Sequence, residues 1–167
     1  MGAPLQDTEA DVLLAYVDLL QRWNRVYNLT ALRDPAEMLS HHLIDCLAVL
    51  PPLRRWWSDA QPGGLQLLDV GSGGGLPGVV LAALQPDWQV DCVDTVAKKV
   101  SFIRQVAAEL RLPNLQGLHA RVEALAPPVG GYGVITSRAF ASLADFTALT
   151  RHLLADGGVW MAMKGKL

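Results

Sequence analysis

Two cysteines in 167 residues, Cys46 and Cys92, are too few and too far apart for a disulfide framework. Each lies in an apolar run and reads as a buried thiol rather than half of a metal pair. The chain also lacks any apolar run of membrane-spanning length, and its start has no basic stretch followed by a hydrophobic one. Neither a span nor a secretory leader is expected, and the pattern fits a cytoplasmic protein with no membrane partner. Charged residues make up only 18% of the chain, so there is no acidic or basic tail of the kind that stays disordered. What is plentiful is apolar: 51% of residues, enough for a large core in about one domain. The formal net charge of −2 argues against a general nucleic-acid binder. The charge is nevertheless uneven. Residues 1–97 carry 5 Lys and Arg against 12 Asp and Glu, and residues 98–167 carry 9 against 4, so the second part can present a basic face.

The most informative stretch is Leu65-Gln66-Leu67-Leu68-Asp69-Val70-Gly71-Ser72-Gly73-Gly74-Gly75-Leu76-Pro77-Gly78. The apolar run reads as a buried parallel strand, the glycines as a sharp turn, and Pro77 as the first turn of a helix, where a missing N–H costs nothing. This is how an α/β domain begins a nucleotide-type site. A dinucleotide fingerprint fits badly: counted from Gly71 and Gly73, the third glycine position is Leu76, while Gly73, Gly75 and Gly78 match two residues late. Asp69, just before the glycines, would repel a pyrophosphate and suits a cationic ligand such as S-adenosylmethionine.

Around this stretch the chain orders itself. Asp7 or Thr8 can cap a first helix whose apolar face runs through Leu13, Tyr16, Val17, Leu20 and Trp23, with Arg22 and Arg25 on the solvated side. After a break at Asn28-Leu29-Thr30, Asp34-Pro35-Ala36-Glu37 starts a second helix, which Pro51-Pro52 should end. His41 and His42, adjacent and on different helix faces, make poor metal ligands, and no metal is expected. Residues 51–64 read as the boundary between an N-terminal helical cap (1–64) and an α/β core (65–167), with Trp56 and Trp57 packing cap to core, the commoner case, or stacking on RNA.

The core alternates strand and helix. Strands are expected at 65–70, 88–93, 115–119, 132–136 and 159–163, with the helix through Phe146, Leu149 and Leu153 ending at a glycine C-cap, Gly157-Gly158. Right-handed crossovers then give a parallel sheet of order 3-2-1-4-5, with the site at the carboxyl ends of strands one and four. Asp94 ends the second strand 23 residues after Gly71, about where an acidic residue takes ribose hydroxyls. It would also cap the next helix, a role compatible with the first.

Asn28-Leu29-Thr30, Arg33-Asp34-Pro35, His42-Leu43-Ile44-Asp45, the Asp69 to Gly78 stretch, Ser137-Arg138-Ala139-Phe140-Ala141-Ser142 and Lys164-Gly165 keep order and spacing along nearly the whole chain. With them the sequence resembles the bacterial ribosomal RNA small-subunit methyltransferase G family, also called glucose-inhibited division protein B. The resemblance implies a Rossmann-like class I fold using S-adenosylmethionine, and transfer of its methyl group to N7 of one guanine in 16S ribosomal RNA, with the 30S subunit as partner. It places the cofactor against Gly71, Leu76, Val122, Glu123 and Arg138, to which the reading of the residues adds Asp69, Gly73 and Asp94. Family members usually continue past the Lys-Gly pair into a further helix and antiparallel strands, which the expected fold lacks, leaving the fifth strand at a bare edge.

Guanine N7 carries a free lone pair, so no general base is expected, and catalysis rests on orientation. Three roles are open to Arg138: binding the methionine carboxylate, donating to guanine O6, or a structural pairing with a carboxylate. An arginine bidentate to O6 and N7 would block the reaction. Arg33, Lys98, Lys99, Arg121, Lys164 and Lys166 are candidates for a phosphate-contacting face of a monomer. Two other classes are open, a catalytically silent cofactor- or RNA-binding module and a dinucleotide-dependent oxidoreductase. The glycine register and the absence of a proton-donor set disfavour the oxidoreductase.

Overall fold

A computed structural model describes residues 5–30, 34–37, 43–60, 64–138, 140 and 142–163, without the side chains of 35 and 58–60. The first helix, α1 (Asp7–Tyr27), begins one residue earlier than Asp7 or Thr8 could cap it. Gln6 is the cap, and its N–H donates to the Glu9 carboxylate at 2.9 Å, because the acid at the third helical position can reach back to it. The helix stops where expected. Asn28 takes the left-handed conformation (φ +50°), and the buried side chain of Asn24 accepts from the Thr30 N–H at 2.9 Å.

A single turn, α2 (Pro35–Glu37), is capped by Asp34, whose carboxylate accepts from the Ala36 N–H. The next helix, α3 (Ile44–Ala60), corrects the expectation that Pro51-Pro52 is a terminator, since it runs through both prolines. Its apolar face explains why. Cys46, Leu50 and Leu53 recur at helical spacing and are all buried, and burial of such side chains at about 1.5–3 kcal/mol each outweighs two missing amides. Residues 51–60 are therefore helix, not linker.

The sheet follows the expected order, β3-β2-β1-β4-β5, parallel throughout. Its strands are β1 (Gln66–Val70), β2 (Gln89–Asp94), β3 (Leu115–His119), β4 (Tyr132–Ser137) and β5 (Leu154–Ala162). Between them lie α4 (Gly78–Leu84), α5 (Ala97–Glu109) and α6 (Leu143–Thr150). Among the described residues β5 has a partner on one side only. Two further expectations are corrected. Pro77 caps α4 rather than lying in its first turn. Gly157-Gly158 lies inside β5, not at a helix C-cap, because the chain passes from α6 through a tight turn, Arg151–Leu153, straight into the strand.

The central strands β1, β2 and β4 are buried on both faces, so their side chains form two cores. Leu67, Val90, Cys92 and Val134 pack with α1, α3, α4 and α5 on one face. Leu68, Val70, Val93 and Ile135 pack with Phe146 and Leu153 on the other. The N-terminal helices thus share one core with α4 and α5, and Trp56 and Trp57 are partly buried against it.

Candidate functional site

The carboxyl ends of β1, β2 and β3 open onto a cavity of about 250 Å³. Each wall comes from a point where a parallel strand gives way to a loop: Val70 and Gly71 after β1, Val93, Asp94 and Thr95 after β2, and Ala120 to Glu123 after β3. Phe140 and Leu149, from beyond β4, close it. A larger cavity of about 410 Å³ lies at the opposite, amino end of β1, β4 and β5, between Trp56, Trp57 and a run of glycines, away from these loops.

The glycine turn is held from several sides. The Gly71 and Ser72 amides both donate to the Val93 carbonyl, at 2.9 and 3.2 Å. Asp94 lines the cavity and is 7% exposed, and one of its oxygens accepts from the Gly73 N–H at 3.0 Å while the other accepts from the Val96 N–H at 2.9 Å. A carboxylate has about four acceptor sites, so Asp94 keeps capacity for hydroxyl donors in the cavity. Two glycines have no substitute here. Gly75 has φ +94°, and a Cβ on it would stand 2.4 Å from Val79 Cγ2; one on Gly78 would stand 2.4 Å from Cys92 Sγ.

Asp69 lies behind the turn rather than in the cavity wall. It is fully buried, and its Oδ2 accepts from the Gly78 N–H at 2.9 Å, tying the end of the turn to β1. Its other oxygen, like the Thr136 hydroxyl on the neighbouring strand, has no hydrogen-bond partner among the described residues. Burial pushes the Asp69 carboxyl up to about 7, against the opposing pull of the Gly78 amide and of Arg138. Arg138 stands to one side, partly exposed, with its guanidinium 4.0 Å from the Asp45 carboxylate and beside the Cys46 thiol, which burial pushes up to about 12.

Of the residues singled out in the sequence, the structure brings Gly71, Asp94, Arg121, Val122 and Glu123 together around the cavity. Asp69, Gly73 and Leu76 lie in or behind the turn that floors it, and Arg138 lies outside its wall. Lys98 is exposed at the start of α5, with its ammonium 5.1 Å from the centre of the Tyr27 ring; Lys99 is the next residue and half-buried. Arg33, Lys164 and Lys166 lie outside the described residues, as do His41 and His42. Among the described residues no three His, Cys, Asp or Glu side chains form a group able to hold a metal ion, and no helix is long and apolar enough to cross a membrane. Phe140 and Leu149 had no expected role. Phe140 stood in the Ser-Arg-Ala-Phe motif, whereas Leu149 gave no signal beyond helical periodicity.

A parallel 3-2-1-4-5 sheet with a glycine turn after β1 and an acid at the end of β2 defines the fold of class I S-adenosylmethionine-dependent methyltransferases. Such a methyltransferase from Thiobacillus denitrificans, solved with S-adenosyl-L-homocysteine, superimposes with a TM-score of 0.55 over 87% of this chain and 53% of that one, at 15% identity. One from Geobacter sulfurreducens, with the same ligand, gives 0.53 over 71% and 46%, at 17% identity. The profile of the rRNA small subunit methyltransferase G family (GidB) matches residues 9–167. The chain is 67% identical to the ribosomal RNA small subunit methyltransferase G of Leptothrix cholodnii, over 99% of its own length and 74% of that protein's. To the protein of the same name from Albidiferax ferrireducens it is 60% identical, over 97% and 74%. It belongs to the ribosomal RNA small subunit methyltransferase G family.

Proposed function

We propose that the protein transfers a methyl group from S-adenosylmethionine to N7 of a guanine in the 16S RNA of the small ribosomal subunit. The observation that carries this reading is the cavity itself, where Gly71 and the Asp94 carboxylate share a wall with Val122 and Glu123. The donor set suits the cofactor. Asp94 accepts from ribose hydroxyls with the acceptor capacity left after the Gly73 and Val96 amides, and Val93, Val122, Phe140 and Leu149 supply apolar surface for an adenine. The glycine turn brings backbone close to the ligand without an intervening Cβ.

When bound, S-adenosylmethionine supplies a methyl carbon made electrophilic by its sulfonium. Guanine N7 is an acceptor with its lone pair free, so no side chain has to remove a proton. The protein's work is orientation, which contributes up to about 7–11 kcal/mol where reacting atoms are held in line. Arg138, after β4, is the positioning candidate at the edge of the site. Arg121 on the cavity rim and Lys98 and Lys99 on α5 are the described cations available to RNA phosphates, with Arg33 and Lys164 as further candidates in the sequence. In this reading residues 1–64 form the cap and 65–167 the methyltransferase core of a cytoplasmic monomer.

The test of the site is a calorimetric titration of S-adenosylhomocysteine into the wild type and Asp94→Ala, with NADH as the competing ligand class. Asp94→Ala should weaken S-adenosylhomocysteine binding by at least about tenfold, since it removes both the turn brace and the ribose acceptor. Preference for NADH in the wild type would move the protein to the oxidoreductases.

A further inference from the structure

We propose that Tyr16, in the N-terminal helix, is a positioning residue for the cofactor turn, so that the cap is part of the cofactor site. This rests on the reading of the cavity given above. The turn is tied to the sheet at both ends: Gly71 and Ser72 to Val93, Gly73 to Asp94, and Gly78 to Asp69. Its middle is tied elsewhere. The Tyr16 hydroxyl donates to the Gly74 carbonyl at 2.6 Å, across 58 residues of sequence, and both groups are buried.

The rest of the cap supports the same point. A Cβ on Gly74 would lie 3.0 Å from Leu20 Cδ1, one helical turn after Tyr16, so α1 lies directly against the turn. The Leu29 carbonyl stands 3.9 Å from where a Gly73 Cβ would be. The Tyr16 ring is 1% exposed, and its centre lies 6.4 Å from that of Phe102 on α5, which fixes where the hydroxyl points. Burial raises the Tyr16 pKa well above the ordinary tyrosine value, so the hydroxyl stays protonated and donates throughout the working pH range. Without that donor the Gly74 carbonyl is left buried and unpaired, and the turn relaxes where it must meet the ligand.

The protein carries its own control. Tyr132 is also buried, and its hydroxyl donates at 2.6 Å to the Asp91 carboxylate, toward the amino end of the sheet and away from the turn. Tyr16→Phe and Tyr132→Phe therefore each delete one tyrosine hydroxyl with its hydrogen bond, the second of them partly buried. The experiment measures S-adenosylhomocysteine affinity by calorimetry and melting temperature for both variants, alongside Asp94→Ala. Both tyrosine variants should melt earlier. Tyr16→Phe should bind S-adenosylhomocysteine about 5- to 10-fold more weakly, the size expected for losing a buried hydrogen bond, with KM for S-adenosylmethionine rising in step and kcat nearly kept. Tyr132→Phe should bind within about twofold of wild type. Wild-type affinity in Tyr16→Phe overturns the proposal. If Asp94→Ala alone loses affinity, only the role of Tyr16 falls; if neither loses it, the reading of the cavity falls as well. Should Tyr16→Phe unfold at the assay temperature, the titration is run below its melting temperature, with the same expectation and the same refutation.

Discussion

Asp69 and Asp94 are two carboxylates at the ends of adjacent strands, and their surroundings assign them different work. Asp94 lines the cavity and bonds the Gly73 and Val96 amides, so its charge is solvated by the protein and remains available to a ligand. Asp69 is sealed beneath the turn with one oxygen satisfied, and burial raises its pKa from 3.8 to about 7. The sign of the consequence is fixed by linkage. Between about pH 4 and pH 7 the folded protein holds a proton that the unfolded chain has released, so this group lowers stability as pH rises through that window. Asp69→Asn should therefore melt higher than wild type at pH 8, and the difference should shrink toward zero near pH 4. A melting series in buffers of equal ionic strength checks this; a difference independent of pH would show that Asp69 is charged across the range.

Among the elements, the turn between β1 and α4 is the least tolerant of change. At Gly78 even a methyl group meets Cys92 Sγ at 2.4 Å and Asp69 Oδ2 at 2.9 Å, and both belong to short, fully buried side chains with little room to move. Gly78→Ala should cost about 2–4 kcal/mol of stability by overpacking and by stretching the Asp69 bond, measured by urea unfolding. A loss under about 0.5 kcal/mol would mean that the turn yields. Much of this was legible in the sequence, because strand, glycines and helix follow one another locally and the sheet order follows from the handedness of crossovers. Asp94 was legible too, by spacing alone. What could not be read was tertiary. Pro51-Pro52 looks like a stop because propensity is local, while burial of Cys46, Leu50 and Leu53 keeps the helix going. Gly157-Gly158 reads as a C-cap until β4 is found beside it. The bond from Tyr16 to Gly74 joins residues too far apart for any pattern to connect. Arg138 has a motif but lies outside the cavity wall, and its contacts in the fold, with Asp45 and Cys46 on α3, join segments too far apart for a motif to connect.

At the scale of the molecule, a chain of net charge −2 has to bind RNA through a local face. Lys98, exposed, and Lys99, half-buried, stand together at the start of α5 and outside the cavity lining. Lys98→Glu and Lys99→Glu together should weaken binding to small-subunit RNA by about tenfold or more at low salt and flatten its salt dependence, because fewer counterions are released. Affinity for S-adenosylhomocysteine should stay within about twofold, as measured by calorimetry beside a filter-binding salt titration. Equal loss of both would point to misfolding.

The cavity and the family together place methyl transfer at guanine N7 of the small-subunit RNA within reach of a direct assay. The transfer is tested most directly by incubating the protein with labelled S-adenosylmethionine and 30S particles that lack the N7 methyl group, then cleaving the RNA chemically at N7-methylguanine. Label should enter 16S RNA and cleavage should fall at one guanine, both strongly reduced with Asp94→Ala at limiting S-adenosylmethionine. Unlabelled RNA, or label on any atom other than guanine N7, would contradict this.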